Sequence, residues 1–78
     1  MSGRPPEPID ESSFPGQVGA RIRARRTRLK LSVATVAERC GVPPATWYNW
    51  EVGRHLPLDR LPAIAEALGC KVRTLIPD

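Results

Sequence analysis

The stretch SVATVAERCGVPPATWYNWEVG, residues 32–53, decides the fold of this chain. Ser32 is a good helix N-cap, because a short side-chain oxygen can take up one of the amides left free in a first helical turn. It precedes VATVAERC, where Val33, Val36, Ala37 and Cys40 fall at helical spacing. Gly41 follows, the residue expected where a helix ends in a left-handed conformation. Pro43 and Pro44 are tolerated at a cap and first turn, where the amides lack helical partners anyway. A second helix therefore starts almost at once and runs through ATWYNWEV to Gly53. Trp47 and Trp50 share one face of it, which their small apolar neighbours mark as the core face. Tyr48 and Asn49 lie on other faces, and at least one of them meets solvent. Ala37 is small where two helices must cross, Gly41 permits a sharp turn, and Val42 can plug the corner. At this joint spacing the residues argue for a helix-turn-helix.

The flanks extend the helical pattern. Upstream, QVGARIRARRTRLK predicts a helix from about Gln17 to Leu29, with Val18, Ile22 and Leu29 facing the core and most arginines on the other sides. Downstream, a loop RHLP leads to a fourth helix. Its apolar stripe is Leu58, Leu61, Ile64, Ala65 and Leu68, Asp59 favours its positive N-terminal end, Pro62 sits in the first turn, and Gly69 stops it. Val72, Leu75 and Ile76 form one more short helix before Pro77. No strand alternation of useful length occurs, so the fold class expected is all-α, a compact bundle of about five short helices. Residues 1–16, MSGRPPEPIDESSFPG, are expected to be a flexible N-terminal tail: Pro5, Pro6, Pro8 and Pro15 disfavour helix, and nothing repeats with a core-facing period. Residues 17–78 are then the folded domain.

Composition narrows the function. A chain of 78 residues allows one small domain with little core to spare around a substrate cavity. Twelve Lys and Arg against eight Asp and Glu give a net charge of +4. That charge is unevenly placed. Residues 17–30 hold Arg21, Arg23, Arg25, Arg26, Arg28 and Lys30 with no acid, residues 1–16 are net negative, and the remainder is balanced. Such a stripe suits a polyanionic partner, nucleic acid or an anionic membrane surface. The membrane is the weaker choice, because the apolar stripe of the first helix is needed for the core, and no run approaches the roughly 18 apolar residues of a membrane span. The polar, proline-rich start carries no secretory signal, and the expected location is cytoplasmic and nucleoid-associated. Cys40 and Cys70 are too few for a disulfide framework and have no partner at ligand spacing, so they read as small core side chains, with no metal and no cofactor. The serines lie in the tail or at a helix cap, His55 has no acid near it in sequence, and no glycine-rich phosphate loop is present; the chain is not expected to be an enzyme.

Residues 17–76 resemble the Cro/lambda-repressor (XRE-type) helix-turn-helix DNA-binding family along nearly their whole length. The resemblance rests on LKLS before the second helix, VAERCGV through the turn, WEVG at the end of the third, and AEALG closing the fourth. It implies a third helix, about residues 44–52, that enters the DNA major groove while the second lies across the backbone. Carried over, Pro44, Ala45, Tyr48 and Asn49 hold the base-facing positions, and Thr46 meets a phosphate or a base edge. Ser32 and the amides after it hold a phosphate, and Arg54 contacts the backbone. Trp47 and Trp50 fall on core positions, and Arg26 and Glu51 match a structural ion pair. Two positions depart from the pattern. Val33 stands where many relatives have a phosphate-clamping glutamine, and Pro44 stands where the first base-reading residue is often Gln, Arg or Ser.

The function expected is that of a sequence-specific regulator of transcription that binds double-stranded DNA. It would act as a repressor, as a homodimer on a two-half-site operator, with the apolar segment 72–76 one candidate dimer surface. The rival expectation keeps the fold but gives up specific DNA binding for a protein partner, as an antitoxin-like module or a phage adaptor. Val33, Pro44 and Ala45 motivate it.

Overall fold

The computed structural model describes residues 13–77, and every regular element in them is helical. Five helices follow in order: α1 (Phe14–Arg28), α2 (Val33–Cys40), α3 (Pro44–Glu51), α4 (Leu61–Ala67) and α5 (Val72–Leu75). A 3-10 turn, Leu58–Arg60, leads into α4. The all-α bundle has a radius of gyration of 12.3 Å, close to the roughly 11–12 Å expected for a compact chain of this length.

α1 begins earlier than Gln17. Ser13 is its N-cap, with its hydroxyl accepting from the Gly16 amide at 3.0 Å. Pro15 falls within the first turn, where a missing amide costs nothing. Residues 14–16, assigned by sequence to the tail, are therefore the first turn of the domain, and Gly16 is buried. The rest of the expected tail, residues 1–12, lies outside the described residues, as does residue 78. At its other end α1 stops one residue before Leu29. The chain turns there through Lys30, whose φ of 58° is left-handed, so Leu29 is left exposed and Leu31 packs against the core instead. Leu58 likewise departs from the expected stripe: it lies in the 3-10 turn before α4 and is 67% exposed.

The core joins all five helices. Val18 and Ile22 of α1, Val36 of α2, Trp47 of α3, Ile64 of α4 and Leu75 of α5 are fully buried, with Leu68 just past α4. The rings of Trp47 and Trp50 lie 5.8 Å apart at 55°, a tilted arrangement that aromatic pairs favour. α1 packs on α3 and α5, α2 on α3 and α4, and α4 on α5. α3 is thus held by α1 and α2, and among the described residues Pro44, Ala45 and Tyr48 of it are left exposed.

Candidate nucleic-acid interface

The turn between α2 and α3 sets how the free side of α3 is presented. Gly41 takes φ 69° and ψ 33°, and the amides of Gly41 and Val42 close back on the carbonyls of Glu38 and Ala37, each at 3.0 Å. This is the hydrogen-bonded stop that a left-handed residue makes possible. Ala37 is buried at the crossing and Val42 packs against the core. Two residues later Pro43 caps α3, and its carbonyl accepts from the amides of Thr46 and Trp47.

Three side chains of α3 turn inward: Trp47, Trp50 and Glu51. By helical spacing the outward ridge is Pro44, Ala45 and Tyr48, all exposed, with Tyr48 at 57%. Thr46 and Asn49 flank the ridge, half-buried. No hydrogen bond within the described residues engages the side chains of Tyr48 or Asn49, which leaves a phenol and an amide free to meet a partner. The ridge is otherwise apolar. Arg54 is exposed just beyond α3, and its amide donates to the Asn49 carbonyl at 2.7 Å, tying its position to the end of the helix.

Ser32, at the start of α2, is exposed and acts as a cap. Its hydroxyl accepts from the Thr35 amide at 3.1 Å and lies 2.8 Å from the Thr35 hydroxyl. The amides of the first turn keep the positive end of the helix dipole facing outward beside it.

One buried network holds these surfaces in register. Glu51 is 2% exposed and is the buried charged residue among the described residues. Arg26 of α1 donates to its carboxylate from Nε and, at 3.2 Å, from Nη2. The Trp47 indole N–H donates to the same carboxylate at 2.7 Å. The remaining Arg26 nitrogen, Nη1, donates to the Leu31 carbonyl at 3.0 Å, one residue before the α2 cap. The side-chain hydrogen bond to Glu51 pushes the Arg26 guanidinium above its ordinary pKa, against the opposing effect of burial. A single carboxylate thus ties α1, α3 and the entry to α2 together. Fork-like charge-assisted pairs of this kind are the geometrically specific ones.

Two further arginines are taken up by structure. Arg25 donates from Nε to the Leu68 carbonyl at 3.4 Å and from Nη2 to the Gly69 carbonyl at 3.3 Å. Arg39 of α2 donates to the Ala67 carbonyl at 2.9 Å. Both cations sit at the C-terminal end of α4, where unpaired carbonyls and the helix dipole favour positive charge. Sequence periodicity gave no sign of this, since each partner lies far away along the chain. Cys40 and Cys70 are half-buried against the core. The Cys40 thiol donates to the Ala63 carbonyl at 3.7 Å, and burial pushes its pKa up against the opposing charge of Arg60. Among the described residues no group of His, Cys, Asp and Glu is placed to hold a metal ion.

A family model described as a helix-turn-helix domain matches residues 17–76. Solved structures carry the same fold. The restriction-modification controller protein C.AhdI from Aeromonas hydrophila is 31% identical, over 77% of this chain and 92% of that one, with a TM-score of 0.72. A hypothetical transcription factor from Neisseria shares the fold at 24% identity, over 94% and 85%, with a TM-score of 0.77. The hydroxypropylphosphonic acid epoxidase from S. wedmorenis matches at 32% identity over 78% of this chain, with a TM-score of 0.72, but the chain spans only 33% of that enzyme. No curated protein matches the chain.

Proposed function

Because the chain belongs to the helix-turn-helix domain family, we propose that it is a sequence-specific regulator of transcription that places α3 in the major groove of double-stranded DNA. The observation that carries this is the outward ridge of α3, Pro44, Ala45 and Tyr48 with Asn49 at its flank, held against a buried face of Trp47, Trp50 and Glu51. Asn49 pairs with an adenine edge, Tyr48 offers its hydroxyl, and Pro44 and Ala45 make apolar contact with a thymine methyl. Thr46, Ser32 with the amides after it, and Arg54 meet the backbone, which fixes register without reading sequence. The likeness to a restriction-modification controller supports a regulatory role. Two hydrogen-bonding side chains per domain read little sequence, so the protein acts as a two-fold homodimer on paired half-sites, repressing by occupying a promoter in the cytoplasm.

Asn49→Ala is expected to cost about 1–3 kcal/mol of binding to the preferred duplex and to relax the preference at one base pair. The check is a titration of both proteins against duplexes varied at each position. An unchanged preference removes Asn49 from the reading surface. A second reading rests on the apolar character of Pro44, Ala45 and the half-buried Val33: a protein-interaction module whose α3 ridge docks on another protein. Binding through several phosphates weakens steeply with salt, so absence of binding to any duplex at low salt favours that module.

A further inference from the structure

The cations of α1 are divided by the fold. Arg26 is spent on Glu51 and the Leu31 carbonyl, and Arg25 on the carbonyls closing α4. Arg21 and Arg28 line a cleft with Arg25 and Thr74, on the α5 side of the helix. Arg23 points elsewhere. At about 100° per residue it lies roughly 160° around the helix from both Arg21 and Arg25. It is exposed, and its guanidinium has no hydrogen-bond or ion-pair partner among the described residues. It lines a cleft with Val33 at the start of α2 and Tyr48 on α3, and the Arg26–Glu51 pair forms the floor. The cleft holds about 190 Å³, below the roughly 300 Å³ at which small-molecule sites begin. It therefore takes a chemical group rather than a whole ligand. The Arg26–Glu51 pair is neutral and the Val33 side chain is apolar, so Arg23 supplies the uncompensated side-chain charge there.

The geometry points to Arg23 as a positioning residue for DNA. Its guanidinium takes a backbone phosphate at the rim of the groove that α3 enters, beside the α2 cap and on the opposite side of α1 from the other free arginines. The assignment rests on the DNA-binding function proposed above. A major groove is only about 12 Å wide, so a side chain next to the reading ridge, but not on it, meets the phosphate rim. An arginine fork suits that oxygen pair. Such a contact sets the depth and register of α3 and carries no sequence preference of its own.

The test uses the full chain and the duplex that the parent protein selects from a random library. Affinity is measured over a series of salt concentrations for the parent, Arg23→Gln, Arg23→Lys and Arg28→Gln. All three changes fall at exposed positions, so the core is left intact. Arg23→Gln is expected to lower the slope of log affinity against log salt by about 0.9 and to weaken binding roughly tenfold near 0.1 M salt. The base preference stays as it was. Arg23→Lys restores the slope, because a point charge still displaces a counterion, and Arg28→Gln leaves it at the parent value. Equal effects of Arg23→Gln and Arg28→Gln, or an unchanged slope for Arg23→Gln, overturn the assignment while the DNA-binding function stands. If the parent selects no duplex at low salt, the function itself fails and the assignment falls with it.

Discussion

Glu51→Ala is expected to cost about 3–5 kcal/mol of folding stability, the penalty for breaking a buried ion pair by removing one partner. Glu51 is 2% exposed, and its carboxylate serves three donors at once: two nitrogens of Arg26 and the Trp47 indole. Removing it strands the charge of an arginine whose side chain is only 15% exposed, together with an indole N–H in a fully buried ring. For a domain of this size the melting temperature falls by more than about 10 °C. Glu51→Gln keeps an acceptor for Trp47 but leaves the Arg26 charge uncompensated, so most of the loss remains. Glu38→Ala is the control. Glu38 is exposed on α2, and its replacement stays within about 0.5 kcal/mol. Thermal unfolding followed by circular dichroism distinguishes them, and equal melting temperatures for Glu51→Ala and Glu38→Ala would refute the account of this network.

Gly19→Ala is the second large effect, and it acts through space rather than charge. A Cβ at Gly19 meets the Trp50 carbonyl oxygen at 2.5 Å and the Glu51 carbonyl oxygen at 2.6 Å. Both obstacles are backbone of α3, which cannot swing aside as a side chain can. α1 and α3 must separate, loosening the Arg26–Glu51 contact and the Trp47 packing together. We expect a loss of about 3 kcal/mol or more, at the upper end of what one extra methyl costs in a packed interior. Gly41→Ala is the comparison. Its φ is left-handed, but nothing lies within 4 Å of the new Cβ, so the cost is the roughly 1–2 kcal/mol of the conformation itself. Denaturant unfolding of the two variants should rank Gly19→Ala as the more damaging. The reverse order would mean that the close approach of α1 to α3 is not a constraint.

The parts of the fold legible in sequence were those written locally. Ser32, Gly41 and the two tryptophans each act within one helical turn, and the bundle follows from their spacing. Phe14–Gly16 read as tail because the prolines around them mask a capped first turn: Pro15 is harmless because Ser13 already starts the helix. Leu29 and Leu58 read as core positions because an apolar residue just outside a helix carries the same letter as one inside it. For the interface, resemblance nominated Pro44, Ala45, Tyr48 and Asn49 as positions, but position alone says nothing of which neighbours are free. The fates of Arg25 and Arg39 depend on carbonyls at the far end of α4, and the freedom of Arg23 depends on the other cations being occupied or turned away. Those are tertiary facts with no local signature. The basic helix that first suggested a polyanion thus spends two of its arginines on structure.

Whether the α3 ridge reads double-stranded DNA is decided by selecting duplexes from a random library with the full chain at low salt. The expected result is enrichment of a motif with an adenine at the position read by Asn49, in two inverted half-sites about one helical turn apart; recovery of duplexes no different from the starting library would mean that α3 does not read DNA.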